Sequence, residues 1–106
     1  MGSNTPLEVH RVADEPLTPL GYEQIADLSS AVGLTPPTGA VFAIITPKSE
    51  AIRWRDDGTD PTAGAGMPIA DGDSIWYIGN LEAIKVIEQA GSAELNVSYY
   101  GKTPLN

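Results

Sequence analysis

Residues Ala51–Gly79 read AIRWRDDGTDPTAGAGMPIADGDSIWYIG, and the fold class turns on how this stretch is read. Ile52 and Trp54 alternate with Arg53 and Arg55, the period of two that sends alternate side chains to opposite faces of a β-strand. Asp57-Gly58 follows directly, a dipeptide that favours a tight reversal because glycine accepts positive φ. From Thr59 to Gly66 all periodicity is lost, and Pro61, Gly64 and Gly66 mark a loop. Met67–Ala70 is expected to return as a short edge strand, since Pro68 has no N–H to give a central ladder. Asp71-Gly72 supplies the next turn and Ile75–Ile78 the next strand.

The same alternation extends outward from this stretch. Downstream, strands are expected at Ala83–Glu88 and Glu94–Tyr100, with turns at Gly79-Asn80 and Gly91-Ser92. In the last of them Leu95, Val97 and Tyr99 point one way and Asn96, Ser98 and Tyr100 the other, the pattern of a half-exposed sheet. Upstream, Val41–Ile45 is an apolar run of strand length beginning a strand at Ala40, and Thr35-Pro36-Pro37-Thr38-Gly39 stops whatever precedes it. Gly21–Leu34 fits either period; the reading adopted is a strand followed by one helical turn at Ser29–Val32. Pro6, Pro16 and Pro19, with irregularly spaced apolar residues, make residues 1–20 an extended Pro-rich arm, either disordered or ordered only against a neighbouring subunit. The fold expected is therefore all-β: that arm, then a single antiparallel β-sandwich or jelly-roll-like domain over residues 21–106 with about six to eight short strands.

Composition narrows the chemistry. A chain of 106 residues supports one hydrophobic core. It has no cysteine, which removes disulfides, thiolate metal sites and cysteine nucleophiles, and its one histidine, His10, lies in the arm. The net charge of −8, with Arg53 and Arg55 the only close basic pair, argues against nucleic acid as a partner. Val41–Ile45 and Ile75–Ile78, the longest apolar runs, fall far short of the roughly 20 residues of a membrane-crossing helix.

Three candidate sites follow from residue type. Asp56, Asp57 and Asp60, with Asp71 and Asp73, carry the oxygen ligands a calcium ion prefers, but their spacing is not that of an EF-hand, and Asp-Gly turns need aspartate for backbone reasons alone. As a glycosidase acid–base pair they lack any apolar surrounding that would separate their proton affinities. Trp54, Trp76, Tyr77, Tyr99 and Tyr100 can stack on a ligand or fill a core, and the alternation forbids Trp76 and Tyr77 from entering the same core. No catalytic residue, metal ligand set or cofactor is expected. The candidate partner interface is Arg53, Arg55, Asp56, Asp57, Trp76 and Tyr100, with pairing of the arginines to Asp56 or Asp57 inside one subunit as the alternative to bonds with a partner.

Two resemblances bear on function. Pro68-Ile69-Ala70-Asp71-Gly72-Asp73-Ser74-Ile75 is similar to a cupin turn and strand, but Ile75 stands where a cupin places a histidine and the paired histidines are missing. Ile52-Arg53-Trp54-Arg55-Asp56-Asp57-Gly58-Thr59, Pro61-Thr62, Gly66-Met67-Pro68 and Leu95-Asn96-Val97-Ser98-Tyr99-Tyr100 together resemble a family of small tailed-bacteriophage virion proteins, over about Gly21 to Tyr100. That resemblance implies a virion structural protein rather than an enzyme: a capsid decoration or cement subunit bound to the major capsid protein or other virion proteins, and homo-oligomeric, with a trimer considered. The alternatives are a neck, tail or fibre module, a carbohydrate or host-surface reader, and, behind these, a degenerate cupin-like enzyme.

Overall fold

Short runs of alternating residues, separated by turns that glycine and aspartate permit, fold into two facing antiparallel sheets in the computed structural model, which describes residues 16–103. Eight strands are present among the described residues: β1 Leu17–Ile25, β2 Val32–Gly33, β3 Ala40–Lys48, β4 Ile52–Arg55, β5 Met67–Ile69, β6 Ile75–Ile78, β7 Lys85–Glu88 and β8 Glu94–Lys102. The first sheet runs β1-β8-β3-β6 and the second β2-β7-β4-β5. First strand lies beside last, second beside seventh, third beside sixth and fourth beside fifth, the strand order of a jelly roll.

Alternation selects the core. Ala43 and Ile45 of β3, Leu95, Val97 and Tyr99 of β8, Ile52 of β4, Ile69 of β5 and Val86 of β7 point between the sheets, and Leu28, Leu34, Leu81 and Ile84 close the ends. Each buried aliphatic side chain stabilises the fold by about 1.5–3 kcal/mol relative to exposure. The Tyr99 hydroxyl donates to the Glu23 carboxylate on β1, and the same oxygen of Glu23 accepts the Thr35 N–H at 2.8 Å. This satisfies a polar group that burial would otherwise penalise, and burial together with that bond holds the Tyr99 hydroxyl well above its ordinary pKa.

Four local expectations are corrected. Residues 17–20 belong to β1, where Leu17 pairs with Lys102 and Pro19 with Tyr100, because a bulge between Pro19 and Gly21 accommodates the proline; the rest of the arm, residues 1–15, lies outside the described residues. Ser29–Val32 forms no helical turn: Asp27 accepts the Ser29 N–H and hydroxyl at 3.2 and 2.7 Å, an Asx-type turn leading into β2. The strand expected from Ala83 begins at Lys85, after a 3₁₀ turn at Leu81–Ala83 capped by the Asn80 side chain, which accepts the Glu82 N–H. The last strand continues past Tyr100 to Lys102, extended by its pairing with β1.

Candidate contact face

The two outer faces of the sandwich differ in character. Residues opposite one another in an antiparallel pair share a face, so the register assigns the outward side chains of the first sheet. One row runs Ile78, Phe42, Tyr100 and Pro19 across β6, β3, β8 and β1; the next runs Trp76, Ile44, Ser98 and Tyr22; a third brings Thr46, Asn96 and Gln24. Between Lys102 at one end of β8 and Glu94 at the other, none of these residues carries a full charge.

Phe42 is only 7% exposed although it points outward. Trp76 meets it edge-on at 5.7 Å between ring centroids and Tyr100 leans on it at 5.6 Å, so neighbours on the same face bury it, not the core. Trp76 and Ile78 themselves stand 72% and 79% exposed, and Tyr22 61%. The polar side of the face is internally satisfied: the Tyr22 hydroxyl donates to Asn96 at 2.5 Å, and Gln24 donates to Glu94 at 3.2 Å. The result is a rigid aromatic and aliphatic surface fixed by ladders on both sides of β3 and β8.

At the β6 end this surface adjoins a cleft of about 320 Å³ between residues 36–40 and 79–82, whose one ionisable lining residue is Glu82. A single carboxylate beside prolines and glycines does not form an acid–base pair. Among the described residues no three His, Cys, Asp or Glu side chains gather as ligands for one ion. Asp56 accepts from the Tyr77 hydroxyl at 2.7 Å, Asp57 from Arg55, and Asp71 from the Ser49 N–H at 3.0 Å.

The outer face of the second sheet is cationic, because Arg53 and Arg55 alternate outward on β4 and Lys85 lies opposite Arg55 on β7. Arg55 makes a two-point bond to Asp57, Nε at 3.0 Å and Nη2 at 2.6 Å; these bonds hold the Asp57 carboxyl below its usual range and raise the guanidinium. Arg53 Nη1 donates to the Gly66 carbonyl at 3.0 Å, while its buried Nε has no partner among the described residues.

The six residues singled out by sequence are therefore not brought together. Trp76 and Tyr100 lie on the outer face of the first sheet, two strands apart; Arg53 and Arg55 lie on the outer face of the second; Asp56 and Asp57 occupy the turn after β4 and bind residues of the same chain. Sequence reasoning missed Tyr22, Phe42, Ile44 and Ile78 as members of the first face. The available signal was β6 itself, Ile-Trp-Tyr-Ile, in which both alternating sets are apolar although only one can face the core.

No family profile, curated protein or solved structure matches the chain.

Proposed function

We propose that this domain is a virion structural protein of the tailed-bacteriophage kind, a capsid decoration subunit that binds other virion proteins through the outer face of the first sheet. The observation that carries the contact role is that face: among the described residues Trp76 and Ile78 are the most exposed of the large apolar side chains, and they sit on an uncharged surface of a chain whose net charge is −8. Single exposed apolar residues are ordinary, whereas a contiguous patch on a rigid sheet is the mark of a protein contact. The phage assignment rests on the string from Ile52 to Thr59 and its companions. The net charge of −8 disfavours non-specific clustering of free copies, so contact forms where a partner presents a matching apolar surface. A subunit that binds only the assembled shell stabilises that shell by mass action.

Cryo-electron microscopy of the parent particle tests this reading. Density for the jelly roll on the outer capsid surface, with Trp76 at a protein boundary, supports it; particles without this chain overturn it. One observation favours a second reading, a carbohydrate or host-surface reader: Trp76 and Tyr22 are exposed aromatics in one row, next to a cleft. Glycan binding lost with Trp76→Ala, by a chain that does not bind capsids, selects that reading.

A further inference from the structure

A sandwich of two open sheets has four edge strands, and exposed backbone on an edge invites pairing unless something blocks it. Two edges here are very short, and a third is interrupted in its first half. β1 carries Pro19 and a bulge, β2 is two residues long, and β5 is three residues with Pro68 in the middle. The fourth, β6, is Ile75-Trp76-Tyr77-Ile78, with no proline, charge or bulge. It pairs with β3 in unbroken register on one side and, among the described residues, with no strand on the other.

We propose that β6 pairs antiparallel with β6 of a second copy about a two-fold axis, with Tyr77 opposite Tyr77, joining two four-stranded sheets into one of eight strands. This rests on reading the outer face of the first sheet as a protein-contact surface, and it names the partner at one border of that face.

The register follows from side-chain parity. Opposed residues in an antiparallel pair point to the same side, so an axis between Trp76 and Tyr77 is excluded: it would set an outward side chain against an inward one. An axis through Trp76 leaves Ile78 opposite Ser74 and uncovered. Only the axis through Tyr77 sets each Trp76 against the other copy's Ile78, covering together the two apolar side chains that are most exposed among the described residues of each copy. Continued beyond the strand, it sets Asp73 against Leu81, not against another carboxylate.

Charge limits where two copies can meet. Two chains of net charge −8 repel at long range, and β6 adds no ionised side chain of its own to that repulsion, the nearby Asp56 carboxylate being bound to the Tyr77 hydroxyl. The buried area is small, roughly 300–400 Å² per copy from one Trp, one Ile and a short backbone, about half the ~800 Å² per side of a standard interface. Association is therefore weak in dilute solution and becomes populated where copies are crowded on a common surface. The dimer would present two sets of Phe42, Tyr100 and Tyr22 on one continuous sheet, and bivalence multiplies modest binding.

Sedimentation equilibrium of the full chain from about 10 µM to about 1 mM tests the proposal. The expected mass rises towards that of two chains, and rises further in about 0.5 M than in about 0.05 M salt because screening weakens like-charge repulsion. Trp76→Lys and Ile78→Lys are expected to abolish the rise, whereas Tyr22→Lys on the distant strand of the same face leaves it. Because the chain has no cysteine, crosslinking reads the register: a mixture of Trp76→Cys and Ile78→Cys chains is expected to oxidise to a mixed covalent dimer faster than either variant alone. A chain that stays monomeric throughout, a dimer indifferent to Trp76→Lys, or a dimer lost on removing residues 1–15 but kept in Trp76→Lys overturns the proposal. If the chain is monomeric and Trp76→Lys still abolishes capsid binding, two-fold pairing fails while the contact face stands; a dimer of this register with unchanged capsid binding in every face variant gives the reverse.

Discussion

The Tyr77 hydroxyl donates to the Asp56 carboxylate at 2.7 Å, tying the exposed edge strand of one sheet to the end of β4 in the other. Its ring packs edge-on against Trp54 at 5.9 Å, so one side chain closes the open side of the sandwich by both shape and charge. The bond to Asp56, with burial adding to it, raises the tyrosine pKa. Tyr77→Phe keeps the ring contact and removes the bond. It should lower stability by about 0.5–1.5 kcal/mol in urea unfolding, with an unchanged m-value.

Tyr99 makes the larger contribution because it is buried. Removing its hydroxyl leaves Glu23 with the Thr35 N–H alone, and Tyr99→Phe should destabilise by about 1–3 kcal/mol in the same measurement.

The two tyrosines also fix the alkaline limb of stability. Both have folded pKa values raised above the unfolded value near 10. Their contribution is therefore fully present below about pH 10 and is lost as pH rises beyond it, because the unfolded chain releases protons that the folded chain keeps. Stability should fall by up to ~1.4 kcal/mol per pH unit for the buried Tyr99 and by less for Tyr77, whose bond to Asp56 is screened by solvent; Tyr99→Phe should reduce the slope.

Core and face should separate in mutagenesis. Ile52→Ala, fully buried between the sheets, should cost about 2–5 kcal/mol. Trp76→Lys, on the exposed face, loses the edge-on contact with Phe42 and should cost about 0.5–1.5 kcal/mol, well below the core variant, while weakening the proposed capsid binding by about tenfold or more. A comparable loss of stability in both variants would show that Trp76 serves the fold.

Truncation distinguishes the arm from β1. Removing residues 1–15 should leave the thermal midpoint unchanged, since every described strand remains. Removing residues 1–20 takes away the Leu17–Lys102 and Pro19–Tyr100 pairings and should lower it by several degrees, as about 1 kcal/mol does in a domain of this size.

Much of the architecture was legible because local signals agreed. In β4, β5 and β6, residue alternation, Pro68 and the Asp-Gly dipeptides all pointed to strands and turns, and Gly58 and Gly72 adopt φ of 87° and 86°. The segment Ser29–Val32 misled because helical spacing of a few apolar residues is indistinguishable from a turn whose geometry Asp27 dictates. Residues 17–20 misled because an edge strand tolerates a proline that a central one would not. The contact face was half legible. Alternation says that Trp76 and Ile78 share a side; it does not say which side is outside, or that Arg53 and Arg55 belong to the other sheet. Sheet membership depends on pairings between residues far apart in the chain, such as Phe42 with Tyr100, and local pattern carries no record of them.

Because the first strand lies against the last, Pro16 and Thr103 sit side by side, the Thr103 N–H donating to the Pro16 carbonyl at 3.3 Å. A load applied between these two points peels β1 from β8 rung by rung, whereas a load borne across the aromatic face is shared by all four strands of the sheet. A domain gripped by its face would thus resist a pull better than one held at these two points.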